Sequence, residues 1–158
     1  MRLATASRNW SEGSTAAGSS RPDLSVSKSV DIVSALFVES FDLRPVPGPS
    51  TRIDLVGVMF SMPAPAPPPV SVAPHLIVLV RSRADEQPNG ILEVVFLDSA
   101  GEQVARNVSP FSVEPGKFTY RLVRGELEFK ALGTIEAHCR LLPDGQVTVC
   151  PLTLLPPL

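Results

Sequence analysis

Proline punctuates this sequence so densely that no long helix fits it. Seventeen prolines fall within 158 residues, and a proline inside a helix removes a backbone donor and clashes with the preceding turn. No stretch carries a long apolar stripe at helical spacing. Between the prolines lie about nine short apolar segments bounded by turn residues, a spacing that argues for a sandwich or barrel. They are Val30–Val38, Ile53–Met62, His75–Ser82, Ile91–Leu97, Val104–Val108, Phe118–Val123, Leu127–Ala131, Thr134–Leu142 and Gln146–Leu154.

Several segments alternate with period two. Leu127, Phe129 and Ala131 oppose Glu126, Glu128 and Lys130, as in a half-buried strand. Leu92, Val94 and Phe96 do the same around Glu93, while Val95 and Leu97 make that strand apolar on both faces and therefore central. The fold class expected is all-β, an antiparallel sandwich of about eight to nine short strands. The run Arg44-Pro45-Val46-Pro47-Gly48-Pro49 should exclude helix and regular strand pairing. Met62 to Pro69 holds five prolines and should be a stiff, extended crossover between sheets. It includes a P-x-x-P match, Pro65-Ala66-Pro67-Pro68, with no adjacent basic residue to strengthen a peptide-ligand reading.

Residues 1–27 are rich in Ser, Thr, Gly and Ala and lack either period. Such a segment buries too little surface to offset its ordering entropy, so a disordered tail is expected, with the sandwich domain spanning 28–158. Trp10 lies in that tail and reads as an idle side chain. Met1 to Gly18 has no apolar run of the secretory kind, and a cytoplasmic location is expected. No stretch reaches the roughly 20 apolar residues of a membrane span.

The formal charge is −2, with no dense basic run to neutralise phosphates, so nucleic acid is not an expected partner. Neither a P-loop nor a dinucleotide fingerprint occurs. The acids Asp85-Glu86, Asp98, Glu102, Glu114 and Asp144 arrive singly at turns, without the dense spacing of a calcium loop. Two histidines and two cysteines lack the paired spacing of zinc ligands. Tyr120 is the sole tyrosine, too little for an aromatic glycan platform.

The sharpest local expectation concerns Cys139 and Cys150, which flank Leu142-Pro143-Asp144-Gly145. A two-residue Asp144-Gly145 loop would set the cysteines opposite each other, near enough for a disulfide. A three-residue Pro143-Asp144-Gly145 loop pairs Leu142 with Gln146 instead, so Cys139 faces Val149 and His138 faces Cys150. Pro suits the first central position of a type I turn. The longer loop also groups Ala137, Cys139, Leu141, Val147 and Val149 on one apolar face. Two free thiols follow, Cys139 buried and Cys150 more exposed. A His138–Cys150 neighbour pair is the arrangement of an activated nucleophile, but no third orienting group accompanies it, and an ordinary surface pair is expected. No catalytic, cofactor-binding or metal residue is assigned, and no cofactor is expected.

The order of features resembles a family of small bacterial β-sandwich proteins without an assigned activity. The likeness rests on Ile53-Asp54-Leu55-Val56-Gly57, the turn in Phe96-Leu97-Asp98-Ser99-Ala100-Gly101, then Gly133, Asp144-Gly145 and Pro151-Leu152, and covers about residues 31–155. It implies the fold and transfers no functional residue. An Ala-, Val-, Arg- and Pro-rich composition points to a GC-rich bacterial source. The functional expectation is a non-enzymatic protein-binding or structural module, pairing through an exposed edge strand with another protein or a second copy. The alternative is a small-ligand carrier or enzyme with a site in loops at one end of the sandwich.

Overall fold

A computed structural model describes residues 30–47, 51–83 and 89–158. The tail 1–27 with Trp10, the boundary at Lys28, and the Asp85-Glu86 pair lie outside the described residues. The described chain is all β, with eleven strands and no helix. None of it is a helix long and apolar enough to cross a membrane.

One sheet has four strands in the order β2 (Thr51–Met59), β1 (Val30–Pro45), β5 (His75–Ser82), β8 (Phe118–Arg124). The other has five, β3 (Ser61–Pro63), β11 (Thr148–Leu155), β10 (Gly133–Leu142), β6 (Asn89–Leu97), β7 (Gln103–Ser112). A short pair, β4 (Val70–Val72) and β9 (Leu127–Phe129), forms a third sheet. All pairings are antiparallel except β3 with β11.

The two larger sheets pack face to face as a sandwich. Alternation decides which side chains go inward. Leu92, Val94 and Phe96 of β6, Ile135, Ala137 and Cys139 of β10, and Cys150, Leu152 and Leu154 of β11 meet Ala35 and Phe37 of β1. Leu76, Val78 and Val80 of β5 and Val123 of β8 complete the same core. A fully buried Leu, Val or Phe among these contributes about 1.5–3 kcal/mol by removal from water. As expected, β6 has a neighbour on each side, β10 and β7.

Two proline-rich stretches are more regular than expected. Arg44 pairs with Arg52 and Pro45 with Thr51, so β1 runs on through the first two residues of the proline run. The reason is that β5 stops at Val38's partner, His75, leaving this part of β1 with β2 alone; on such a one-sided strand a proline's missing donor faces no ladder. Likewise Met62 and Pro63 are not a free connection. They lie in β3, beside Leu154 and Leu155, and the Ala64 N–H donates to the Leu155 carbonyl at 2.9 Å. The run still carries the chain between sheets, from β3 in the five-stranded sheet to β4 in the two-stranded one. The segment Leu127–Ala131 is shorter than expected: β9 ends at Phe129 and Ala131 is exposed.

Beyond Val38, the β1–β2 hairpin bends back over its own sheet. Tyr120 lies on the outer side of β8, opposite Leu79, which in turn pairs with Ser34. A straight β1 would carry Phe41 about 23 Å along from Ser34, at roughly 3.3 Å per residue. Instead the Phe41 and Tyr120 rings sit 6.1 Å apart. The bend occurs at Glu39 and Gly57. Gly57 has φ +62° and sits against Glu39, whose carboxyl carbon would lie 2.5 Å from any added Cβ, so only glycine fits this left-handed position without displacement. The Glu39 carbonyl lies 3.2 Å from the His75 ring Nδ1. Under this arm, Val38 and Ile77 are buried although neither belongs to the central core.

Candidate functional site

The sandwich has four edge strands, and they are unequally guarded. β3 is short and contains Pro63. β7 carries Pro110 and an irregular register beside Leu97. β8 is seven residues long and presents Arg121 and Arg124. β2 is nine residues long with no proline, and its other edge has no partner among the described residues. Val56 and Val58 are 53% and 45% exposed, and Phe60, just beyond the strand, is 58% exposed. Prolines, bulges and charges are the usual devices against edge pairing. Besides the bend at Gly57, β2 has Arg52 and Asp54, at its far end, and Asp54 is occupied: Arg44 Nη2 donates to its Oδ1 at 2.7 Å. That diagonal pair offsets the like-charge pairs Asp42–Asp54 and Arg44–Arg52 across the hairpin. It also raises the Arg44 pKa and lowers that of Asp54, in both cases mainly through the hydrogen bond.

A second feature occupies the outer face of the five-stranded sheet. Glu93 points outward from β6, yet it is only 3% exposed. Arg106 of β7 donates to its Oε1 through Nε at 2.9 Å and Nη2 at 2.6 Å. Arg140, directly across on β10, donates through Nε to Oε2. The two guanidiniums cover the carboxylate and stay about half exposed themselves. Their hydrogen bonds, Arg106 first and Arg140 second, hold the Glu93 carboxyl below the ordinary value of 4.5. A buried carboxylate needs such partners, because desolvation otherwise favours its protonated form.

The C-terminal hairpin departs from the expected register. Ala137 pairs with Cys150, His138 with Val149 and Cys139 with Thr148. The turn closes earlier than expected, with the Gly145 N–H donating to the Leu141 carbonyl at 2.7 Å and a cis Leu142-Pro143 bond inside it. A Cβ on Gly145 would meet that carbonyl oxygen at 2.3 Å. The register is decided by the three-residue alternation Cys150, Leu152, Leu154, all buried, which outweighs Val147 and Val149, both exposed. Cys150 is therefore buried, 2% exposed, and the expectation of a more exposed thiol is corrected. His138 and Cys150 are not cross-strand partners. The His138 Nε2 lies 2.9 Å from Glu136 Oε2 on the outer face, while the thiol faces inward.

Both cysteines are free, as expected. Burial pushes the Cys139 thiol up to about 12, with Cys150 nearby adding to the effect. Burial also raises Cys150, against a hydrogen bond with the Phe37 backbone. Thiols held protonated in this way are poor nucleophiles.

The loop acids serve their own turns. Asp98 Oδ1 accepts from the Ala100 and Glu102 N–H groups, each at 2.9 Å. Glu114 pairs with Lys117, and Glu102 lies 3.8 Å from Lys130. Asp144 occupies the exposed tip of the last hairpin. No group of three or more His, Cys, Asp or Glu gathers as metal ligands among the described residues. A cavity of about 130 Å³ beside the Asp98 turn is lined by Glu102, Glu128, Lys130 and their neighbours. It is well below the volume of ordinary small-molecule sites.

No family model matches the sequence, and no curated protein matches it. Among solved structures, the chain is similar to a glycosyl hydrolase family 2 member from Bacteroides cellulosilyticus DSM 14838, at 17% identity and a TM-score of 0.49. A second structure of a family 2 member from Bacteroides cellulosilyticus, from microfluidic crystals, gives 17% and 0.48. The aligned part is 57% of this chain but only 14% and 13% of those chains. The likeness bears on no activity.

The Glu93 cluster has no counterpart among the residues singled out by sequence. A signal for it does exist. Glu93 is the one charge within Ile91–Leu97, a strand apolar on both faces, and a charge on such a strand must find partners. Arg106 and Arg140 stand in segments that could flank it. Which segments are neighbours is a matter of sheet order, which periodicity does not carry.

Proposed function

We propose that this domain is a non-enzymatic interaction module that accepts a strand from a protein partner along β2. The observation that supports this is the long, proline-free, unpaired edge of β2 with Val56 and Val58 exposed beside it. Strand addition gains main-chain hydrogen bonds from the edge and side-chain contacts from alternate positions. The simplest partner is a second copy. Antiparallel pairing of β2 with its twin extends the four-stranded sheet across a two-fold axis.

Sedimentation velocity of the full chain over a broad concentration range tests this. The wild type should shift from monomer to dimer, and the double variant Val56→Lys, Val58→Lys should stay monomeric with its fold intact, since edge lysines block pairing. A wild type that remains monomeric at every concentration overturns self-pairing. A lysine variant that dimerises as well as the wild type removes β2 from the interface.

A further inference from the structure

Arg106 and Arg140 are held in place by a carboxylate that uses only part of what they offer. A guanidinium has five N–H donors in a planar fork. Glu93 takes Nε and Nη2 of Arg106 and Nε of Arg140. No other acceptor bonds either guanidinium among the described residues, and both side chains remain half exposed, at 51% and 47%. Two positive charges surround one negative charge, so the cluster is a net cation. The nearby Glu136 is engaged by His138 on the same strand face.

The surroundings add a second requirement. Val108 stands directly opposite Glu93 on β7, and Ile91 lies two residues before it on β6, so both share the outer face. They are 45% and 44% exposed. A cationic fork beside exposed aliphatic side chains suits an acid carried on an apolar body better than a free, hydrated anion.

Strand register does not require the cluster. Continuous ladders join β7, β6 and β10, and Leu92, Val94 and Phe96 already pin β6 to the core. A buried charge held by pairing is at best weakly stabilising relative to an apolar side chain, and Val95 on the same face shows that an aliphatic residue is accommodated there. What Glu93 does supply is order. It removes the rotamer freedom of two arginines before any ligand arrives, which lowers the entropic cost of binding.

We propose that Arg106 and Arg140, presented by Glu93, form a receptor for an acidic side chain of an extended peptide lying on the outer face of the five-stranded sheet. The ligand carboxylate takes the outward N–H groups of both guanidiniums, with flanking apolar residues on Ile91 and Val108. This surface is separate from β2, and its success or failure is independent of pairing at that edge.

The test is a titration of the isotope-labelled full chain, following the Nε–H resonances of Arg106 and Arg140. The probes are an acetylated, amidated peptide alternating Leu and Glu, its Gln-for-Glu counterpart, and inorganic phosphate. The acidic peptide should shift both resonances saturably, and added salt should weaken it. The Gln peptide should not bind. Arg140→Gln should weaken binding about tenfold, as for loss of a charge-assisted hydrogen bond. Glu93→Gln should also weaken it, because both arginines lose the charge-assisted hydrogen bonds that order them. Three outcomes overturn the proposal: no saturable shift with the acidic peptide, equal binding of the Gln peptide, or phosphate matching the acidic peptide. If Glu93→Gln fails to fold, Arg106→Gln and Arg140→Gln, each checked by its amide spectrum, carry the test. Either variant binding as well as wild type also overturns it.

Discussion

The two outer faces of this sandwich are finished in opposite ways. The four-stranded sheet covers part of its own back: the β1–β2 arm turns at Gly57, brings Phe41 onto Tyr120 and leaves Val38 and Ile77 buried, while Phe118 and Leu122 on the same side of β8 stay exposed. The five-stranded sheet leaves its back open, with Ile91, Val108 and Val149 exposed around one paired carboxylate. An apolar outer face can be buried by the protein itself or left open, and this chain buries the β1–β5 part of one face and leaves the other open. The covered face costs the protein an arm whose edge, β2, is then left unpaired. The open face keeps its central charge by surrounding it with arginines.

The largest effect that would break this comparison lies under the arm. Ile77 is fully buried, so Ile77→Ala should cost about 2–5 kcal/mol in urea unfolding, as in a core. On the open face, Val149→Ala should change stability by less than about 0.5 kcal/mol. Equal effects would mean that the arm does not seal its sheet.

Gly57→Ala comes next. Forcing an L-residue into a left-handed position costs roughly 1–2 kcal/mol, and the new Cβ displaces Glu39. Stability should fall by about that amount, with loss of the Phe41–Tyr120 contact. An unchanged contact would show that the bend does not depend on this glycine.

Acid should act selectively on the open face. The folded Glu93 carboxyl titrates below its ordinary value of 4.5, so its contribution is complete above that value. It is lost as pH falls through the depressed folded value. An acid titration of stability should therefore slope less steeply below pH 4.5 in Glu93→Gln than in the wild type. Parallel curves would contradict the assignment.

The smallest effect is chemical. With Cys139 raised to about 12 and Cys150 also raised, a thiol reagent at neutral pH should modify the native protein slowly and both cysteines quickly once it unfolds. Intact mass should be the same with and without reductant; a deficit of about 2 Da without it would reveal a disulfide.

The inward-facing residues were legible because period-two alternation is local. Leu92, Val94 and Phe96, or Leu127 and Phe129, announce a buried face from a few neighbours. The register of the last hairpin was misread because the reading was taken from the turn and from Val147 and Val149, while Cys150, Leu152 and Leu154 decided it. The proline run after Leu43 was misread because proline excludes a two-sided ladder, not a one-sided one. Glu93 with its arginines, and Phe41 on Tyr120, join segments far apart in the chain. Such pairs depend on sheet order and on a bend at one glycine, which no local pattern encodes.

The covered face can be tested most directly by proton nuclear Overhauser contacts in the full chain at low concentration. The account requires contacts between the Phe41 and Tyr120 rings, together with Ile77 methyl groups shielded from a soluble paramagnetic probe. Absent ring contacts, with Ile77 as accessible to the probe as Val149, would contradict it.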